Sequence, residues 1–259
     1  MLGPVSTVFC ASFTLAMSQR ALVAALGDKE HARARVRETA KRWARTMCRA
    51  CGVEVRVTGM NEALFTEPSV ILANHQSLFD IPVLYVALPE AYGMLAKKEL
   101  FAVPFFGRAM HMLGCVPIDR ARRADGIAAI GEAAKLVRGG NTIVVFPEGS
   151  RSRDGKLRPL KKGPFHLAQM AGVPLLPVGI RGTEKVLPRG SAFVKPGIVH
   201  VEIGRPIRVG EGARGREEAR RKVFDELLRL KRERRQSATA GSFGESGRCG
   251  PSAKLTETR

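Results

Sequence analysis

Three features of this sequence predict an α/β fold with a mixed, largely parallel sheet flanked by helices. From residue 53 onward, short apolar runs alternate with stretches of helical periodicity. Several of these runs, among them Val70-Ile71-Leu72-Ala73 and Ile143-Val144-Val145, are apolar without a break, as strands buried on both faces are. Ahead of them lie a weakly charged apolar segment and then a basic amphipathic helix, which adds an N-terminal membrane-associated helical motif. The 259 residues thus divide into a helical motif at 1–52, an α/β domain at 53–235 and a tail at 236–259.

Residues 1–27 contain one charged side chain, Arg20, and lack the basic n-region of an export signal. The apolar stretch 2–17 is interrupted by Gly3, Pro4, Ser6, Thr7, Ser12 and Thr14. A spanning helix needs about 20 strongly apolar residues, so a re-entrant or interfacial anchor fits at least as well as a span. After Asp28, Val36, Ala40, Trp43, Met47 and Ala50 recur at helical spacing, with arginines over much of the remaining circumference. Such a helix suits an anionic bilayer surface, and the same stripe also suits packing against the rest of the protein.

Strands are expected at 53–58, 69–73, 92–96, 115–118, 142–146, 175–180 and 199–203, and helices at 77–87, 104–113, 123–138, 162–171 and 217–231. Ile127, Ile130, Ala134 and Val137 set the period of the 123–138 helix. Pro174 and Pro177 mark the 173–178 run as an edge strand or an irregular, substrate-lining one. The Gly/Ser/Thr-rich tail beyond Gln236 has few apolar residues and reads as disordered.

A formal net charge of +19, from 43 Lys and Arg against 24 Asp and Glu, favours an anionic partner: nucleic acid, anionic lipid or a phosphorylated substrate. No helix-turn-helix pattern, RNP motif or aromatic stacking series accompanies the basic residues, which argues against nucleic acid. Five cysteines, at 10, 48, 51, 115 and 249, form no disulfide framework and point to a reducing compartment. Cys48 and Cys51 have CxxC spacing but no second ligand pair, so no metal site is expected.

The chemistry concentrates where expected strands end. In Asn74-His75-Gln76-Ser77-Leu78-Phe79-Asp80, an imidazole lies five residues before a carboxylate able to hold it in one tautomer. No nucleophile motif adjoins them, which suggests a general base acting directly on a substrate hydroxyl. Ser77 and Asp80 also match a helix-capping box. Phe146-Pro147-Glu148-Gly149-Ser150-Arg151-Ser152-Arg153 joins glycine, for close approach of backbone N–H groups to an anion, with arginines that grip phosphate and Glu148 beside them to order them. Lys97-Lys98-Glu99-Leu100 and the run from Gly114 to Arg120 add further cations at strand ends.

In order, NHQSLFD (74–80), AKKEL (96–100), GCVPIDR (114–120), FPEGSRSRDG (146–155) and VPLLPVGIRG (173–182) closely resemble the glycerolipid acyltransferase family, most of all the bacterial 1-acyl-sn-glycerol-3-phosphate acyltransferases. The resemblance runs from about 53 to 204. It implies an O-acyltransferase that moves a fatty acyl group from acyl-CoA or acyl-ACP to the sn-2 hydroxyl of lysophosphatidic acid, giving phosphatidic acid, with no cofactor. His75 is then the general base and Asp80 its orienting partner. Lys97 (or its neighbour Lys98), Arg120 and Arg151 hold the acceptor phosphate, while Glu148 and Gly149 shape the phosphate loop. The 173–178 run lies near the acyl or thioester site, and Phe79, Ile81, Val83, Leu84, Phe101, Phe105 and Phe106 line an acyl tunnel or belong to the core. The partners implied are an anionic membrane surface, lysophosphatidic acid and acyl-CoA or acyl carrier protein, on the cytoplasmic face of the inner (plasma) membrane. Another lysolipid, a lyso-ornithine lipid or glycerol 3-phosphate remains open as acceptor, and so does a non-catalytic anionic-lipid-binding protein.

Overall fold

The computed structural model describes residues 5–26, 29–90, 92–119 and 122–232. Arg120 and the expected disordered tail at 236–259 lie outside the described residues. Two helices lead, α1 (Val5–Ala24) and α2 (Lys29–Ala50), followed by β1 (Val53–Thr58) and β2 (Val70–Ala73). Then come α3 (Asp80–Ala87), β3 (Gly93–Lys97), α4 (Phe106–Met112), β4 (Val116–Ile118), α5 (Arg123–Arg138) and β5 (Ile143–Val145). The chain continues through α6 (Gly163–Ala171), β6 (Leu175–Arg181), α7 (Thr183–Val186), β7 (Gly197–Ile203) and α8 (Gly212–Lys231).

Seven strands form one sheet in the order β1-β7-β6-β2-β5-β3-β4. β6, β2, β5, β3 and β4 pair in parallel, and the parallel pair β1–β7 joins them through an antiparallel β6–β7 ladder. The sheet is therefore mixed and largely parallel. Strand pleating sends alternate side chains to two cores. Ile71 and Ala73 pack with Val83, Leu84 and Val144 on the α3 face. Val70 and Leu72 pack with Val137, Phe165, Leu167 and Leu227 on the face covered by α5, α6 and α8. Burial on both faces is why these strands read as unbroken apolar runs.

Three expectations need correction. β6 lies in the sheet interior between β2 and β7. Its prolines are tolerated because Pro174 precedes the strand, and because the missing Pro177 N–H falls in a gap on the β7 side. There Leu175 bridges Ile207, the Val178↔Ile203 ladder has yet to begin, and the Pro177 carbonyl still accepts from Gly204 N at 2.9 Å. α3 begins at Asp80, not 77, because Ser77, Leu78 and Phe79 turn around the Asp80 carboxylate. The apolar stripe of α2 faces the protein: Val36, Ala44, Met47 and Cys48 are buried, and Trp43 meets Tyr85 edge-on at 6.1 Å. The indole N–H donates to Thr14 Oγ1 at 3.0 Å, tying α2 to α1, and Lys41 donates to the Leu88 and Pro89 carbonyls beyond α3. Among the described residues, no helix is long and apolar enough to cross a membrane.

Candidate active site

In register, Ile71 pairs with Val144 and Leu72 with Val145, so β2 and β5 end side by side. Their following segments meet although His75 and Glu148 are 73 residues apart. Such a rim, outside the carboxyl ends of parallel strands, is the usual ligand site of an α/β sheet.

The turn after β2 is built around one carboxylate. Asp80 is fully buried, and its Oδ2 accepts from Gln76 N at 2.7 Å and Ser77 N at 2.9 Å, and lies 2.7 Å from His75 Nδ1. Half of a capping box is therefore formed: Asp80 reaches back to Ser77 N, while the Ser77 hydroxyl accepts from Phe79 N and donates to the Leu187 carbonyl. One oxygen thus caps the helix entry and orients the imidazole. With Nδ1 engaged by the carboxylate, Nε2 is the ring nitrogen available for proton transfer. The ring lies flat on Phe146, centroids 3.9 Å apart and planes 16° from parallel. Neighbours anchor the turn to β6 and α7. Asn74 exchanges two hydrogen bonds with the Ile180 backbone, and Gln76 donates to Glu184 and to the Ile180 carbonyl.

Glu148 is also buried, and neither of its oxygens is spent on an arginine side chain. Oε1 accepts from His75 N at 2.8 Å and Oε2 from Arg158 N at 2.9 Å. Its part in the loop is to hold backbone, not to order the arginines, because each oxygen is taken by a backbone N–H. Burial pushes its carboxyl up, an effect opposed by those two N–H bonds and by the charges of Lys231 and His75. A third tie runs from Ser152 N to the His75 carbonyl at 2.8 Å. Gly149 sits at φ +76°, a conformation that disfavours side chains, and turns the chain so that Arg151 and Arg153 follow at the rim. Arg151 is half-buried, with its carbonyl held by Arg189, and Arg158 donates to the Ser150 hydroxyl.

Lys97, at the end of β3, is exposed and pairs with Glu99 at 3.1 Å, while Lys98 pairs with Asp119. Both lysines thus stand at the same sheet rim as His75, each with a carboxylate beside it. Of the apolar residues weighed as a tunnel, Phe79, Val83 and Leu84 are core, and Phe105 is exposed. Sequence reasoning passed over Phe146 as a ring platform, Asn74 and Gln76 as anchors, and Ser152 as the link between the two segments. Their proximity in the motifs was the only available signal.

A family model described as Acyltransferase matches residues 54–181, the segment that holds His75, Asp80, Lys97, Phe146, Glu148 and Arg151. Those residues belong to the acyltransferase family. Over 161 residues the chain is 37% identical to the chloroplastic 1-acyl-sn-glycerol-3-phosphate acyltransferase BAT2 of Brassica napus, covering 62% of this chain and 46% of that protein. It is 34% identical to the 1-acyl-sn-glycerol-3-phosphate acyltransferase of Saccharomyces cerevisiae over 190 residues, 69% of this chain and 61% of the relative. The match thus spans about half the length of these curated relatives. The crystal structure of the 1-acyl-sn-glycerophosphate acyltransferase PlsC from Thermotoga maritima superposes with a TM-score of 0.74 at 29% identity, covering 88% of this chain and 94% of that one. In this acyltransferase domain β2–β6 lie inside the matched segment and β1 begins one residue before it, whereas α1, α2, α7, β7 and α8 lie outside it.

Proposed function

We propose that this chain transfers a fatty acyl group from a thioester, acyl-CoA or acyl-ACP, to the sn-2 hydroxyl of 1-acylglycerol-3-phosphate, giving phosphatidic acid. The observation that carries the reading is the imidazole of His75, with Nδ1 committed to buried Asp80 and the ring stacked on Phe146, beside an arginine-bearing glycine turn. The names of the relatives support this substrate class.

His75 Nε2 takes the proton of the acceptor hydroxyl as that oxygen attacks the thioester carbonyl. Asp80 stabilises the imidazolium that forms. Collapse of the tetrahedral adduct breaks the C–S bond, and the thiolate leaves with the proton returned by the imidazolium, so no acyl-enzyme forms. Arg151, Lys97 and Arg120 hold the acceptor phosphate and present the hydroxyl at attack distance, which is worth several kcal/mol of barrier. Glu148 and Gly149 shape the backbone on which Arg151 sits.

The membrane contact we assign is interfacial, at the cytoplasmic face of an anionic bilayer. Phe9, Leu15, Val23 and Leu26 on and just after α1 are exposed, as are Leu100, Val103 and Phe105 ahead of α4, and α1 packs on α4. Apolar side chains gathered on one side of a strongly basic protein favour such a surface.

The test is turnover of purified protein with one acyl-CoA on a panel of lysophosphatidic acid, other lysophospholipids, lyso-ornithine lipid and glycerol 3-phosphate. Phosphatidic acid is the expected main product. Preferential acylation of another acceptor overturns the substrate assignment, and absence of thiol release with every acceptor overturns the enzymatic reading.

A further inference from the structure

α8 follows the segment matched by the acyltransferase model, yet its last turn reaches the active-site loops. A Cβ on Gly179 in β6 would lie 2.5 Å from the Leu230 Cβ, so the helix end sits directly against the strand. Arg181, also in β6, donates to the carbonyls of Leu230 and Arg232 and pairs with Glu202 at 3.7 Å, which fixes the C-terminal turn of α8. From that turn Lys231, partly buried, donates its ammonium to the Gly155 carbonyl at 2.6 Å. Gly155 belongs to the same loop as Ser152 and Arg158, whose backbone N–H groups bind the His75 carbonyl and Glu148. The carboxylates that act on the ammonium are Glu148, Glu184, Asp80 and Asp154. Asp80 Oδ1 is buried and has no hydrogen-bond partner among the described residues.

We propose that Lys231 is a positioning residue for acyl transfer: its bond to Gly155 ties the loop after β5 to α8, and this places its ammonium as a counter-charge behind the buried carboxylates of Glu148 and Asp80. The inference rests on the function proposed above. A buried carboxylate is costly to desolvate without a nearby cation. Asp80 orients the imidazole and Glu148 accepts from two backbone N–H groups. Burial pulls the Lys231 ammonium below its ordinary range, against the opposing pull of the four carboxylates, while Lys231 in turn lowers the Glu148 carboxyl.

The experiment compares full-length Lys231→Met, Lys231→Gln and Lys231→Arg with wild type in acyl transfer across a pH series, alongside thermal melting. Gln keeps a donor for Gly155 but loses the charge, and it carries the charge test should the Met protein not fold. Met and Gln are expected to lower kcat by about 10- to 100-fold, the scale of a small misplacement of catalytic groups, with acceptor KM little changed. Their acid limb is expected to move to higher pH, because Glu148 loses a charge that holds its carboxyl down. Arg restores most of the turnover and the wild-type limb. Wild-type turnover and an unmoved limb in Gln overturn the proposal, as does an Arg variant as impaired as Gln. Inactivity of the wild type on every acceptor instead overturns the function on which it rests.

Discussion

In the turn after β2, Asn74, Gln76, Ser77, Phe79 and Asp80 are buried and every one is hydrogen-bonded. In the loop after β5, Arg153, Asp154, Lys156 and Arg158 stand exposed, and the loop is held at a few points by Glu148, Ser152 and Lys231. The two segments share one rim, and the difference follows from the tasks proposed for them. A base must be held in one tautomer and one direction, which takes a dry turn with most of its polar groups bonded. A phosphate clamp acts through charge and forked donors that must enter and leave water with the ligand.

The largest expected effect tests the dry side. His75→Ala should lower kcat by about 10²–10⁴-fold, the usual cost of losing a general base, with melting temperature and acceptor KM little changed. Near-normal turnover in the purified protein removes the base assignment. Next comes the joint between the two segments. Glu148→Gln places an amide N–H₂ against one of two backbone donors, leaving a partly buried N–H unsatisfied at about 1 kcal/mol. Turnover should fall about 10- to 100-fold and the melting temperature should drop, whereas an unchanged melt would show the carboxylate is not structural. The smallest effect belongs to the wet side. Arg151→Ala should raise KM for a phosphorylated acceptor about tenfold, from loss of a charge-assisted contact of about 1.5 kcal/mol or more, and leave KM for acyl-CoA unchanged. Equal changes in both constants argue against a clamp on the acceptor.

Much of the frame was legible because burial on both faces forces a simple pattern. β1 and α5 fall at their expected bounds, and the remaining expected elements are shifted, trimmed or, as with β6, β7 and α8, extended by a few residues. Less legible was whatever depends on a neighbour distant in the chain. Two prolines argued for an edge position, yet Pro177 fits an interior strand because the adjacent ladder is interrupted there. The stripe on α2 had the period of a membrane-surface helix, and Met47, Cys48 and Val36 spend it on internal packing instead. An amphipathic pattern records that one face is apolar and not what covers it. Glu148 stood among arginines and looked like their partner, but both its oxygens serve backbone N–H groups.

By itself the sequence determined the α/β class, the alternation of elements and the short His75–Asp80 contact, since a five-residue spacing across a turn lets the two side chains meet locally. Tertiary structure alone decided that β5 would lie beside β2, and with it that Glu148, Phe146 and Ser152 would support His75. It alone brought Lys231 from the end of α8 to the loop after β5. The physical reason is range: turns and periodicities are set by neighbours along the chain, whereas strand order and the pairing of buried charges are settled by which packed arrangement leaves the fewest polar groups without partners.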